Sequence, residues 1–147
     1  GRPHVIRYDV TFIIPEGERH TLGQFEAVTG YMPGEFSHFW RFDKAADTLV
    51  SMDAGPGEQR DPVVLSTVTG AHAMGVFSPD QPSPEFETVG YGRFAFPGAK
   101  VTKWNCVFRV RNPDGLPTGA YSFRNFVIVG TKAIVEQNLR ELVHTAP

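Results

Sequence analysis

The chain has very little cysteine and no long apolar run, and both shortages exclude classes of protein. Cys106 is the single cysteine in 147 residues, so no internal disulfide can form. The five histidines are dispersed, and no Cys/His spacing typical of a zinc site occurs. No apolar stretch approaches the ~18–20 residues of a membrane-spanning helix, and no signal-like segment opens the sequence. We therefore expect no bound metal, no cofactor and no membrane partner.

An excess of positive charge is also missing. The 14 basic and 16 acidic side chains give a formal net charge of −2, which argues against a nucleic-acid partner. Hydrophobic residues make up 41% of the chain, enough for a core, so disorder is excluded. The length suits one domain over residues 1–147. Because a strand-like run begins within a few residues of Gly1, we expect a trimmed domain or a module of a longer protein.

Twelve prolines and fifteen glycines divide the chain into short segments with alternating apolar residues. This pattern predicts an all-β fold, an antiparallel β-sandwich of about eight to nine strands. The predicted strands cover 5–14, 20–31, 35–42, 48–52, 63–68, 71–77, 91–96, 100–111 and 120–129. Residues 53–62 are predicted to form a loop, and residues 78–89 no regular element. Residues 131–143 predict one C-terminal amphipathic helix, which we expect to lie over a sheet edge or an open end.

The last two predicted strands carry the most informative polar pattern. Alternation places Asn105 and Arg109 on one face of their strand and Arg124 on the polar face of the next. If these strands pair across residues 112–119, their guanidinium groups share a sheet face that Arg93 can join. Such a face would bind an anion, a uronate or a sulfated sugar. The alternative is a solvated outer face with alternating charge.

Aromatic side chains in the second and third predicted strands extend this hypothesis. Tyr31, His38 and Trp40 offer surfaces on which the apolar C–H faces of sugar rings can stack. A sandwich core also uses tryptophan, so packing remains the alternative for Trp40.

Two isolated residues have acid–base chemistry. His72 lies among small neighbours, which leave room beside its imidazole for a ligand. Glu26 is the one acidic residue in an otherwise apolar stretch, where a carboxylate is usually either paired or functional. The alternatives are a histidine satisfied by a backbone carbonyl and a glutamate paired with an arginine.

Three segments have the character of fixed family blocks: residues 25–33, 72–79 and 103–109. Together with the long strands, the isolated His and Glu and the final arginine-bearing strands, residues 5–130 resemble part of a galactose-mutarotase-like β-supersandwich. The resemblance implies a sugar bound in a concave sheet, with His and Glu moving protons at the anomeric centre. The chain is about half as long as such a fold usually is, which favours binding over catalysis.

Three functions follow as hypotheses. The first is a carbohydrate-binding β-sandwich that holds a sugar or another small polar ligand on a concave sheet lined by arginines and aromatic rings. The second is an epimerase- or lyase-like enzyme in which Glu26 is the base and His72 the acid. The third is a structural module whose helix 131–143 docks on a neighbouring domain or on a second copy of the chain.

Overall fold

Two antiparallel sheets, one α-helix and a short 3-10 helix (Pro97–Ala99) make up the computed structural model, which describes residues 1–83 and 90–145. The described residues form ten strands, and the α-helix follows the last of them. The strands are β1 (Val5–Ile14), β2 (Leu22–Pro33), β3 (His38–Asp43), β4 (Thr48–Met52), β5 (Gly57–Gln59), β6 (Val63–Ser66), β7 (Ala73–Phe77), β8 (Tyr91–Phe96), β9 (Val101–Arg111) and β10 (Gly119–Gly130); the helix is α1 (Lys132–Thr145).

The strands divide into a large sheet and a small sheet. The large sheet has the order β1-β10-β7-β6-β3-β4, and the small sheet has the order β2-β9-β8-β5. This arrangement confirms the predicted all-β sandwich with a C-terminal helix. The predicted strand number was too low because β5 lies inside residues 53–62, predicted to be a loop. Three residues are too few to show an alternating pattern.

The core between the sheets is built from aromatic rings on the inner faces of the strands. The rings of Phe108 and Phe123 stack with centroids 4.0 Å apart and planes 11° apart, joining β9 of the small sheet to β10 of the large sheet. Cys106 is fully buried beside them, and burial raises the pKa of its thiol to about 12. The thiol is therefore protonated and unreactive in the folded protein.

The pairing expected between the last two strands is wrong. β9 lies between β2 and β8, whereas β10 lies between β1 and β7 in the other sheet. Each strand turns an apolar face inward, and the two faces pack against each other across the core. The strands are therefore not neighbours in one sheet. Their outward side chains consequently lie on opposite surfaces of the molecule.

Helix α1 covers the outer face of the large sheet. Val135, Leu139 and Leu142 are buried in a second core with residues from β3, β4, β6, β7 and β10. The Glu136 carboxylate accepts hydrogen bonds from Thr48 Oγ1 at 2.7 Å and from the Leu49 amide at 3.0 Å, which fixes the helix on the β3–β4 hairpin. The helix therefore lies over a sheet face, and its buried apolar side is not available to another domain.

The connection between β7 and β8 is described only in part. Residues 78–83 contain no helix or strand, as predicted. Residues 84–89, which belong to the same predicted segment, lie outside the described residues.

Gly30 is a position at which the core leaves no space for a side chain. A Cβ there would lie 2.2 Å from Cε2 of the buried Trp104 ring. We expect Gly30→Ala to lower the free energy of unfolding by about 1–3 kcal/mol, as overpacking does. Urea denaturation measures this change. Gly98→Ala is the control, because a Cβ at Gly98 meets no atom within 4 Å. A Gly30→Ala protein as stable as the wild type would show that the Trp104 ring can move aside.

Candidate functional site

The outer face of the small sheet brings together four of the nine candidate residues. We call this surface the small-sheet face. Antiparallel pairing of β2 with β9 and of β8 with β9 sets its side chains in adjoining rows. Its members are Gln24, Glu26, Tyr31, Glu58, Phe94, Phe96, Lys103, Asn105 and Arg109.

A β-bulge in β2 places Glu26 and Tyr31 on this same face. The register between β2 and β9 shifts between Glu26 and Val28, so that one extra residue is inserted on the β2 side. Strict alternation would put residues 26 and 31 on opposite faces of the sheet, since their numbers differ by five. The bulge reverses the alternation once and thereby assembles the face.

Lys103 lies at the centre of the exposed part of the small-sheet face. Its Nζ is 2.8 Å from Oε1 of Glu26, 5.3 Å from the ring centroid of Tyr31 and 5.6 Å from that of Phe94. The rings of Phe94 and Phe96 stack with centroids 6.5 Å apart. Tyr31 is 66% exposed. The face thus combines accessible rings with a fixed ion pair.

The Glu26 carboxylate is ionised at neutral pH. Burial acts to raise its pKa, but hydrogen bonds from Lys103, Asn105 and Thr29 and the charge of Lys103 lower it below the ordinary value of 4.5. A general base works best with a pKa near the working pH. Glu26 is therefore suited to accepting a hydrogen bond rather than a proton.

Arg109 and its partners form the inner, buried part of the face. The guanidinium donates from Nε to Oε1 of Gln24 at 2.8 Å and from Nη2 to Oε1 of Glu58 at 2.7 Å. Arg109 is 9% exposed. Its charge ties β9 to β2 and β5, so the residue is structural in this position rather than presented to a ligand.

Asn105 is also buried on this face, close to Phe94. A Cβ at Gly92 would lie 2.3 Å from the Asn105 Oδ1 and 2.8 Å from the Phe94 ring, so both side chains use the space that this glycine leaves. Asn105 donates a hydrogen bond to the Glu26 carboxylate but is itself buried, and so it is not accessible to a ligand.

The other two candidate arginines lie elsewhere. Arg93, at the β5–β8 edge of the sheet, donates to Oδ1 of Asp53 at 2.8 Å and to Oε1 of Gln59 at 3.0 Å. Arg124 is on the outer surface of the large sheet, where its Nε is 3.5 Å from Oδ1 of Asp9. Each arginine has its own acidic neighbour, and the predicted shared arginine face does not exist.

His38 and Trp40 belong to β3 of the large sheet and are separate from the small-sheet face. The Trp40 indole donates to Oγ of Ser66 at 3.0 Å, and the Lys132 ammonium lies 3.9 Å from the Trp40 ring centroid. The start of α1 therefore packs against this tryptophan. His38 is exposed, and its ring meets Trp40 edge-on at 6.3 Å.

The proposed catalytic pair is not assembled. His72 is exposed in the turn before β7 of the large sheet, where it lines a shallow cavity of about 370 Å³ together with His4 and Met74. Glu26 lies on the outer surface of the small sheet and is ion-paired with Lys103. The two residues are on different sheets, so they cannot act on one sugar ring as base and acid in this conformation.

Three residues of the small-sheet face, Phe94, Phe96 and Lys103, were not among the predicted site residues. The alternation of Phe94 and Phe96 along β8 and the polar face of β9 that carries Lys103 are the sequence signals that could have identified them. A cavity of about 640 Å³, at one end of the sandwich between the sheets, was not predicted either. The buried Thr102 hydroxyl lines that cavity and has no hydrogen-bond partner among residues 1–83 and 90–145.

No family model, no curated protein and no solved structure matches this chain. Across residues 1–83 and 90–145, no helix has the length and apolar character needed to cross a membrane. The same residues contain no group of three or more His, Cys, Asp or Glu side chains placed to hold a metal ion. Inferences about function therefore come from the geometry of the small-sheet face.

Removing Arg109 tests its structural role. We expect Arg109→Ala to lower the free energy of unfolding by roughly 1.5–3 kcal/mol. The substitution removes the hydrogen bonds from the guanidinium to Gln24 and Glu58, and it leaves the Glu58 carboxylate without this positive partner. Arg124→Ala is the matched control, since exposed ion pairs contribute about 0–1 kcal/mol. Chemical denaturation of both variants measures the difference. Equal effects of the two substitutions would contradict the assignment.

The lowered pKa of Glu26 predicts a pH-dependent contribution to stability. Because the folded pKa lies below the ordinary value of 4.5, this contribution is complete above about pH 4.5 and is lost as the pH falls through the folded pKa. The stability gap between wild type and Glu26→Gln should therefore shrink when urea denaturation is repeated at decreasing pH. In a Lys103→Met background the gap at neutral pH should already be smaller. A gap independent of pH would refute this explanation.

Proposed function

We propose that the small-sheet face binds a neutral polysaccharide, with the ring of Tyr31 as the main stacking platform. The observation that carries the proposal is Tyr31, a residue 66% exposed, on the same face as the Lys103–Glu26 pair and the Phe94–Phe96 stack. A solvent-exposed ring beside fixed hydrogen-bonding groups has the chemistry that sugar recognition needs.

The two kinds of group on this face match the two kinds of surface on a sugar. The C–H face of a pyranose is apolar and can lie on an aromatic ring, while its hydroxyls point outward from the ring edge. The ionised Glu26 carboxylate can accept a hydrogen bond from a hydroxyl, and the Lys103 ammonium can donate one. Their ion pair, with an N–O distance of 2.8 Å, holds both groups in place before a ligand arrives.

The balance of charge on the face favours a neutral sugar. Lys103 is paired with Glu26, and Arg109 is paired with Glu58. A uronate or a sulfated sugar would have to compete with these carboxylates for the cations. Arginines on a common face were the reason to consider an anionic ligand, and that reason is gone.

Binding is favoured over sugar modification by the position of the acidic group. Glu26 is ionised and tied to Lys103, and His72 belongs to the other sheet. A face without an opposed acid and base can hold a sugar but lacks the means to move a proton on it.

Affinity electrophoresis in gels that contain a soluble polysaccharide tests the proposal. We expect retardation by neutral polysaccharides such as xylan or glucomannan and less by polygalacturonate. Tyr31→Ala should weaken retardation about tenfold, since loss of aromatic stacking costs about 1.4 kcal/mol. Tyr31→Phe should keep most of it, because the ring remains.

A matched control separates the face from general surface effects. Val68 is 69% exposed in the β6–β7 turn of the large sheet, so Val68→Ala removes exposed apolar area elsewhere. That variant should migrate like the wild type. Absence of retardation in every gel, or equal retardation of Tyr31→Ala and wild type, would reject the proposal.

A further inference from the structure

The edge strands of the two sheets differ in how they are protected against pairing with another chain. The edges are β1 and β4 in the large sheet and β2 and β5 in the small sheet. β4 and β5 have only five and three residues, and β2 is interrupted by its bulge and by glycines. Short strands and bulges are the usual devices that prevent edge pairing.

β1 lacks these devices. Its ten residues run in unbroken register with β10 and contain no proline, no glycine and no lysine. Within the described residues, no strand pairs with its other side. Ile6 and Tyr8 on its inner side are 48% and 46% exposed. A long, exposed, partly apolar edge of this kind is a template for another strand.

The outer side of β1 carries one cation and one anion two residues apart. Arg7 Nη2 lies 2.6 Å from Asp9 Oδ2, and both side chains are 54% exposed. Tyr8 stands between them in the sequence. Rotating the strand by 180° about an axis through Tyr8, so that its direction is reversed, therefore exchanges the positions of Arg7 and Asp9.

We propose that β1 pairs with β1 of a second copy of the chain, antiparallel about a two-fold axis at Tyr8. In this register the Arg7 of each copy faces the partner's Asp9, and the Ile6 of each copy faces the partner's Val10. Shifting the register by two residues in either direction would set Asp9 against Asp9 or Arg7 against Arg7. Opposed like charges on neighbouring strands are destabilising. Charge complementarity thus selects one register out of three.

The resulting dimer has a continuous twelve-stranded sheet made from the two large sheets. The free main-chain N–H and C=O groups along β1 gain hydrogen-bond partners, and the half-exposed Ile6 and Tyr8 are covered. The small-sheet face is not part of this contact, so the inference is independent of the proposed polysaccharide binding.

Sedimentation velocity over a wide range of protein concentrations tests the dimer. The wild type should pass from the 16.3 kDa monomer to twice that mass as concentration rises. Arg7→Asp and Asp9→Arg each place like charges opposite each other in the proposed register, so each variant alone should be monomeric. Mixing the two variants brings opposite charges together again and should restore the dimer.

Two controls keep the test decisive. Circular dichroism establishes that each variant is folded, which matters for Asp9→Arg because Asp9 also faces Arg124. Hydrogen exchange of the wild type is a second readout, in which amides of β1 should become more protected with rising concentration. A wild type that stays monomeric, variants that dimerise like it, or a mixture that stays monomeric would each overturn the proposal.

Discussion

The contact between Phe108 and Phe123 determines how the rest of the molecule is arranged. Their rings stack at 4.0 Å, one from each sheet, and so fix two consecutive long strands face to face across the core. Every outward residue of β9 is then on one surface, and every outward residue of β10 is on the other. The separation of Arg109 from Arg124 is a direct consequence of this packing.

Local pattern was sufficient for the elements but not for their partners. The bounds predicted for β1, β4 and β8 agree with those observed, because alternation and turn residues are local signals. Whether two amphipathic strands lie side by side or face to face is not encoded in their alternation. An apolar face is buried in both arrangements, and pairing with distant strands, β2 and β8 for β9 and β1 and β7 for β10, distinguishes them.

The candidate site shows the same limit. Glu26 and Tyr31 were both identified from their residue type, but period-two alternation would separate them. Only the bulge after Glu26, which depends on pairing with β9, unites them. Arg109 was identified as polar and outward, yet its burial depends on Glu58 in β5, a strand too short to predict. Pairing between strands distant in sequence thus decides which polar residues are exposed to a ligand and which are buried in contacts that hold the strands together.

The burial of Cys106 determines when its thiol can be oxidised. Its thiol is sealed between the sheets with a pKa of about 12, so oxidants reach it only while the sheets are apart. Oxidative damage at this sulfur therefore requires an opening of the sandwich, and its rate depends on the population of open molecules as well as on the oxidant. Sulfenic or disulfide-linked forms in an old preparation would therefore show that the sandwich had opened.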